Sequence, residues 1–242
     1  MKTYVFPFVA LFLVTMAAPA LAQNATEEYV VTRKYNIAQS GYVDLGLSVK
    51  WAAFNIGASS PEESGFKFSW GEVRPADDAE MSPDNDDLWH GYDLFAGGDP
   101  YGNPARLIRY NSDPELGVVD NKAVLDTLDD AAYIATGGVG RTPTAAEFQE
   151  LLDRCTWEFI EYKGSWGAVV TGPNGAQIFL DAEGQFDHSS YYMTASRDKD
   201  SRRMISCLIG NDSFDMDSKD SLICNRCDFF SVRAVSDKTI SF

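Results

Sequence analysis

Between Thr144 and Cys155 the apolar positions recur with the period of a helix. Phe148, Leu151, Leu152 and Cys155 stand at i, i+3, i+4 and i+7, so one face turns to a core while Glu150, Asp153 and Arg154 stay in water. Thr144 with Glu147 three residues on has the spacing of a capping box, which fixes where this helix begins. Elsewhere the period is two. Val43, Leu45, Leu47, Val49 and Trp51 alternate with polar residues and predict one strand, with Gly46 as a place for a bend. Phe66, Phe68 and Trp70 alternate after a turn cluster and predict a second. Trp166 to Val170 and Gln177 to Leu180 flank Thr171-Gly172-Pro173-Asn174-Gly175 and read as a hairpin. Further strands are predicted at Tyr191–Ser196, Met204–Ile209 and Phe229–Val235, with Asn211–Ser221 as a polar surface loop. Asp120 is placed to cap a short helix through Val124, Leu125, Leu128 and Ala132.

Two stretches break the pattern. From Arg74 to Tyr110 prolines, Gly97-Gly98 and acidic residues predict a long loop, yet Trp89, Tyr92, Phe95 and Tyr101 give it the means to fold onto the body. At the start, Lys2, an apolar run to Ala18 and Ala20-Leu21-Ala22 read as a secretory signal over residues 1–22, followed by an N-terminal arm over 23–40 and one domain over 41–242. Pro7 and Pro19 interrupt the run, so no membrane span is expected in the mature chain. No cysteine lies near the cleavage point, so the expected product is exported to the periplasm or cell surface and is not a lipoprotein.

Charge narrows the partners. The formal net charge is −16, and loss of Lys2 takes it to −17, which repels phosphate backbones and excludes nucleic acid as a partner. Outside the cytosol Cys155, Cys207, Cys224 and Cys227 are disulfide candidates, and spacing leaves all three pairings open. Cys224-Asn225-Arg226-Cys227 also has redox spacing, but it precedes a strand and does not open a helix, and it is half a zinc site at most.

Catalytic constellations are missing. His90 and His188 are the two histidines, and neither a Gly-x-Ser-x-Gly elbow nor a His-x-x-x-His pair occurs, so no catalytic residue is assigned. No cofactor or metal site is assigned either. Calcium remains open through Asp181, Glu183 and Asp187, or Asp212, Asp215, Asp217 and Asp220, although neither spacing follows the twelve-residue calcium loop. Trp89, Trp166, Tyr191 and Tyr192 are the candidates for a ligand-binding aromatic platform, set against core packing as their alternative use.

The segments Tyr42 to Ala52, Asn55 to Ala58, Trp70-Gly71-Glu72, Leu128 to Ala132, Arg141-Thr142-Pro143-Thr144 with Glu147-Phe148, and Phe230-Ser231-Val232-Arg233 resemble the Fibrobacter succinogenes major paralogous domain, a family of exported Bacteroidetes proteins. More distantly the Arg-x-Pro-Thr-x-x-Glu-aromatic run is similar to that of formylglycine-generating enzymes. The resemblance implies an α+β, C-type-lectin-like mixed fold: two helices packed on short, twisted, mostly antiparallel strands with long loops. It makes Trp51, Trp70, Arg141, Pro143, Thr144, Glu147, Phe148, Ser231 and Arg233 structural family-motif positions. Phe229 departs from it, standing where the family usually has glycine. The function expected is an exported, non-enzymatic module that binds a glycan or protein. The alternatives are a redox or oxidase-type enzyme using Cys224 and Cys227, and a structural subunit of a surface appendage.

Overall fold

A computed structural model describes residues 35–82, 88–97, 106–183, 188–210, 214–217 and 224–238. The expected signal segment, residues 1–22, and most of the expected arm lie outside these residues. The described body runs from Tyr35 onward. It is an α+β fold of three sheets and two helices, with single helical turns between them.

The alternation from Val43 to Trp51 makes two strands where one was expected. β1 (Tyr42–Val43) turns back on β2 (Val49–Ala52), pairing Tyr42 with Ala52 and Val43 with Trp51. Asp44 accepts the Gly46 amide at 2.8 Å, and Gly46 takes φ +81°, which closes the reversal without Cβ strain. Leu45, Leu47, Val49 and Trp51 are buried nonetheless, because the turn keeps their parity. The third strand of this sheet is β11 (Val235–Asp237).

The five-stranded sheet runs β3 (Lys67–Phe68), β10 (Phe230–Ser231), β7 (Ser189–Arg197), β8 (Met204–Gly210), β9 (Phe214–Asp217). β9 falls inside the stretch expected as a loop, and Phe229–Val235 is divided between β10 and β11. Phe229 does not adopt a positive φ, so the missing glycine leaves no strain there. Phe66, predicted to face inward with Phe68 and Trp70, is 53% exposed and lies over Gly57.

The third sheet is β4 (Thr156–Tyr162), β5 (Ser165–Thr171), β6 (Gln177–Asp181), antiparallel throughout. The expected β5–β6 hairpin is present. β4 was not foreseen: it follows directly on the main helix and hides behind its signal. Ile37, at the end of the arm, bridges to Gln177 and is buried.

Helix α1 (Ala131–Ala135) is shorter than expected and is capped by Asp130, whose Oδ1 accepts the amides of Ala132 and Tyr133. Asp120 instead accepts the amides of Tyr110 and Asn111, which leaves Val124 and Leu128 exposed. Helix α2 (Ala145–Arg154) carries the predicted capping box in full: Thr144 Oγ1 accepts the Glu147 amide at 3.3 Å and Glu147 Oε2 accepts the Thr144 amide at 2.7 Å. Phe148 and Leu151 are fully buried.

Two hydrophobic cores result. One gathers Phe68, Trp70, Met193, Met204 and Phe230 with Trp89, Tyr92 and Phe95 from the long loop. The other gathers Trp51, Phe148, Leu151, Val170, Leu180, Tyr192 and Cys207. In the first, the Arg226 guanidinium sits 4.9 Å from the Trp70 ring centre, 5.5 Å from Tyr92 and 5.8 Å from Tyr110, and donates to the carbonyls of Arg109, Tyr110 and Ser201. A cation so buried holds three chain segments to one point.

Candidate functional site

The β4–β5 hairpin closes on Lys163 and Gly164, both at positive φ (51° and 86°), the two-residue turn whose twist matches the strands. Beside this turn, register pairs Trp166 with Glu161, so both side chains project from one face. Phe159 reaches the same face and stacks on Trp166, ring centres 5.7 Å apart and planes within 15°. His188 adds a third ring, 5.2 Å from Trp166 and tilted by 43°.

Trp166 is partly exposed and belongs to neither core, Phe159 is partly buried with its inner side against the core around Trp51, and His188 is exposed. Two exposed carboxylates flank the row. Glu161 stands across the ladder, and Glu183 Oε1 accepts the Trp166 amide at 2.8 Å. Apolar ring surface bordered by oxygen acceptors is the chemistry that recognises the C–H faces and hydroxyls of a sugar.

The four platform candidates are not brought together. Trp89 is 6% exposed and packs edge-on against Tyr92 and Phe95. Tyr192 is fully buried, its hydroxyl donating to Asp181 Oδ1 at 2.6 Å. Both are corrected to core residues, since each large ring fills space inside the fold. Tyr191 is partly buried against the core containing Trp70, on the other face of its strand from Tyr192. Trp166 alone stands in the row, joined by Phe159 and His188. The alternating aromatics of Thr156–Tyr162 were the sequence signal for Phe159, and nothing in the sequence marked His188.

The positions that carry the resemblance take part in the packing and hydrogen bonding of the fold. Trp51 meets Phe148 edge to face at 4.9 Å, and Trp70 Nε1 donates to the Thr194 carbonyl at 2.9 Å. Arg141 donates to both Glu147 oxygens at 2.9 and 2.6 Å and to Asp237 at 2.9 Å, which locks β11 to the start of α2. The Pro143 carbonyl accepts the Ala195 amide at 2.7 Å. Arg233, fully buried, donates to the carbonyls of Ala52, Ala53 and Phe179 and to Asn55 Oδ1. Asn55 in turn donates to Asp181 at 2.5 Å. Ser231 is also fully buried, on β10 between β3 and β7.

None of the four cysteines is joined in a disulfide. Cys155 and Cys207 lie at the core around Trp51, Cys224 and Cys227 at the core around Trp70. Burial, reinforced by Asp228, pushes the Cys227 thiol well above its ordinary range, and burial raises Cys155 to about 11. Cys227 also lines a cavity of about 30 Å³ with Glu72, Ser69 and Tyr92, room for about one water. The Cys224–Cys227 turn opens no helix, and the charge of Arg226, which favours a thiolate, is outweighed at Cys227 by burial and Asp228.

Among the acidic candidates for calcium, Asp181 is buried and saturated by Asn55, Ser64 and Tyr192, and Glu183 is engaged by the Trp166 amide. Asp187, Asp212 and Asp220 lie outside the described residues. The described residues contain no group of three or more His, Cys, Asp or Glu arranged to hold a metal ion, and no helix long and apolar enough to cross a membrane.

Fold and site together define an α+β protein with a row of surface rings at the end of a β-hairpin. Comparison with protein-family models, with curated proteins and with solved structures finds no match.

Proposed function

We propose that the protein is an exported binding module of the Fibrobacter succinogenes major paralogous type that takes a neutral glycan along the row Phe159, Trp166 and His188. The single observation behind this reading is the row itself: Trp166 is excluded from both cores, yet it is stacked and braced by Phe159 and His188. Rings held in place before a ligand arrives lose little entropy when it binds. Glu161 and Glu183 at the rim, on a chain of net charge −16, favour uncharged hydroxyl-rich ligands over sulfated or uronic ones. The raised Cys227 thiol counts against the redox alternative. A glycan array probed with the protein tests this: neutral glycans retained by the native protein and lost by Trp166→Ala support it, and equal retention by both refutes it.

A further inference from the structure

A second chemistry lies on the five-stranded sheet, away from the ring row. Lys67 and Ser231 face each other across the two-residue β3–β10 ladder, and register puts their side chains on one face. Lys67 Nζ donates to Ser231 Oγ at 2.5 Å, and Ser231 Oγ lies 3.3 Å from Ser190 Oγ. The amine thus ends on a hydroxyl and not on a carboxylate. Asp181, whose charge acts on Lys67, is held by Asn55, Ser64 and Tyr192. Burial lowers the Lys67 pKa, and Asp181 offsets this only in part, so the neutral amine is reached below the ordinary lysine range. An amine that can take a proton, hydrogen-bonded to a serine hydroxyl, is the nucleophile-and-base pair of acyl transfer without histidine.

We propose that Ser231 and Lys67 form an acyl-transfer site for short-chain esters, with Ser190 positioning the Ser231 hydroxyl. Ser231 Oγ bonds to the ester carbonyl carbon as its proton passes to the neutral Lys67 amine. The bond from that carbon to the alcohol oxygen breaks, its electron pair stays on the oxygen, and Lys67 returns the proton to the departing alcohol. Water then attacks the acyl-Ser231 carbonyl and gives its proton to Lys67. The carbon–Ser231 bond breaks, the serine regains the proton, and a carboxylic acid leaves. Ser231 and Ser190 are buried on β10 and β7, and Lys67 is partly exposed on β3, the two-residue edge strand of the sheet. Few ladder hydrogen bonds hold that rim, which gives a small ester its route in. The spacing of Lys67, Ser190 and Ser231 along the chain offers no sign of this arrangement.

The test is treatment of the folded protein with a fluorophosphonate, with peptide mapping of the adduct and turnover of p-nitrophenyl acetate beside it. Expected are one adduct on the Ser231 peptide and turnover lowered roughly 100-fold or more in Lys67→Arg, which keeps the cation and hydrogen bond but cannot serve as base. Ser231→Ala should lose both label and turnover. No adduct on the native protein, an adduct on another residue, or wild-type turnover in Lys67→Arg would overturn the proposal. The adduct on native protein is read whether or not the variants fold, and none of these readouts depends on glycan binding.

Discussion

Trp166 and Tyr192 are both aromatic residues on strands, yet one is a surface ring and the other a core ring. Their difference lies in what each meets: Trp166 rests on Phe159 and His188, whereas Tyr192 reaches Asp181. Strand parity tells which face a ring takes, but not whether that face is covered by residues distant in sequence, so Tyr192 read as well as Trp166 did. Trp166→Ala should weaken glycan binding at least about tenfold, close to 1.4 kcal/mol, and leave the urea midpoint unchanged, as measured by titration calorimetry and denaturation. Arg233 is the opposite kind of residue. Arg233→Met would strand the carbonyls of Ala52, Ala53 and Phe179, and the expected cost is about 3–5 kcal/mol in urea unfolding. A loss under about 1 kcal/mol would mean these carbonyls find other partners. Burial of Cys227 gives a third residue-level expectation: its alkylation by iodoacetamide at neutral pH should be far slower than in unfolding denaturant, and equal rates would contradict the raised thiol.

Among elements, α2 was the most legible because its signals are local: the capping box, the amphipathic stripe and the basic Arg154 in its last turn all lie within one stretch. Thr144→Ala should therefore cost about 1 kcal/mol of stability without altering glycan binding. Its Glu147 partner also makes a pH prediction. Burial would raise the Glu147 pKa, but hydrogen bonds and charge from Arg141 and the Thr144 amide outweigh burial, so the net shift is downward. A carboxyl with a depressed folded pKa adds stability above its unfolded value, and that stability is lost as pH falls through the folded one. Unfolding midpoints should drop from the ordinary value near 4.5 downward, and Glu147→Gln should flatten that limb. An unchanged acid limb in the variant would remove Glu147 from the account. The β1–β2 reversal was less legible, because Leu45 and Leu47 keep the parity of a continuous strand through the turn. The helix expected from Asp120 failed for a different reason. That carboxylate caps the Tyr110–Asn111 backbone, a partner the local pattern does not announce.

For the molecule as a whole, the α+β class could be read from one helix signal among many period-two segments. The polar ties that join the sheets could not. Asn55, Ser64, Asp181, Tyr192 and Arg233 come from separate segments, and each looks ordinary in its own surroundings. The ring row has the same origin, with Phe159 and Trp166 supplied by one hairpin and His188 by the approach to β7. In the proposed reading the high negative charge acts on the entire surface and sets the ligand class more than its affinity. The most direct measurement is a glycan array that carries neutral, uronic and sulfated sugars, probed with the protein and with Trp166→Ala. Expected is retention on neutral glycans that disappears in the variant. Retention confined to anionic glycans, or unchanged by loss of the Trp166 ring, would contradict it.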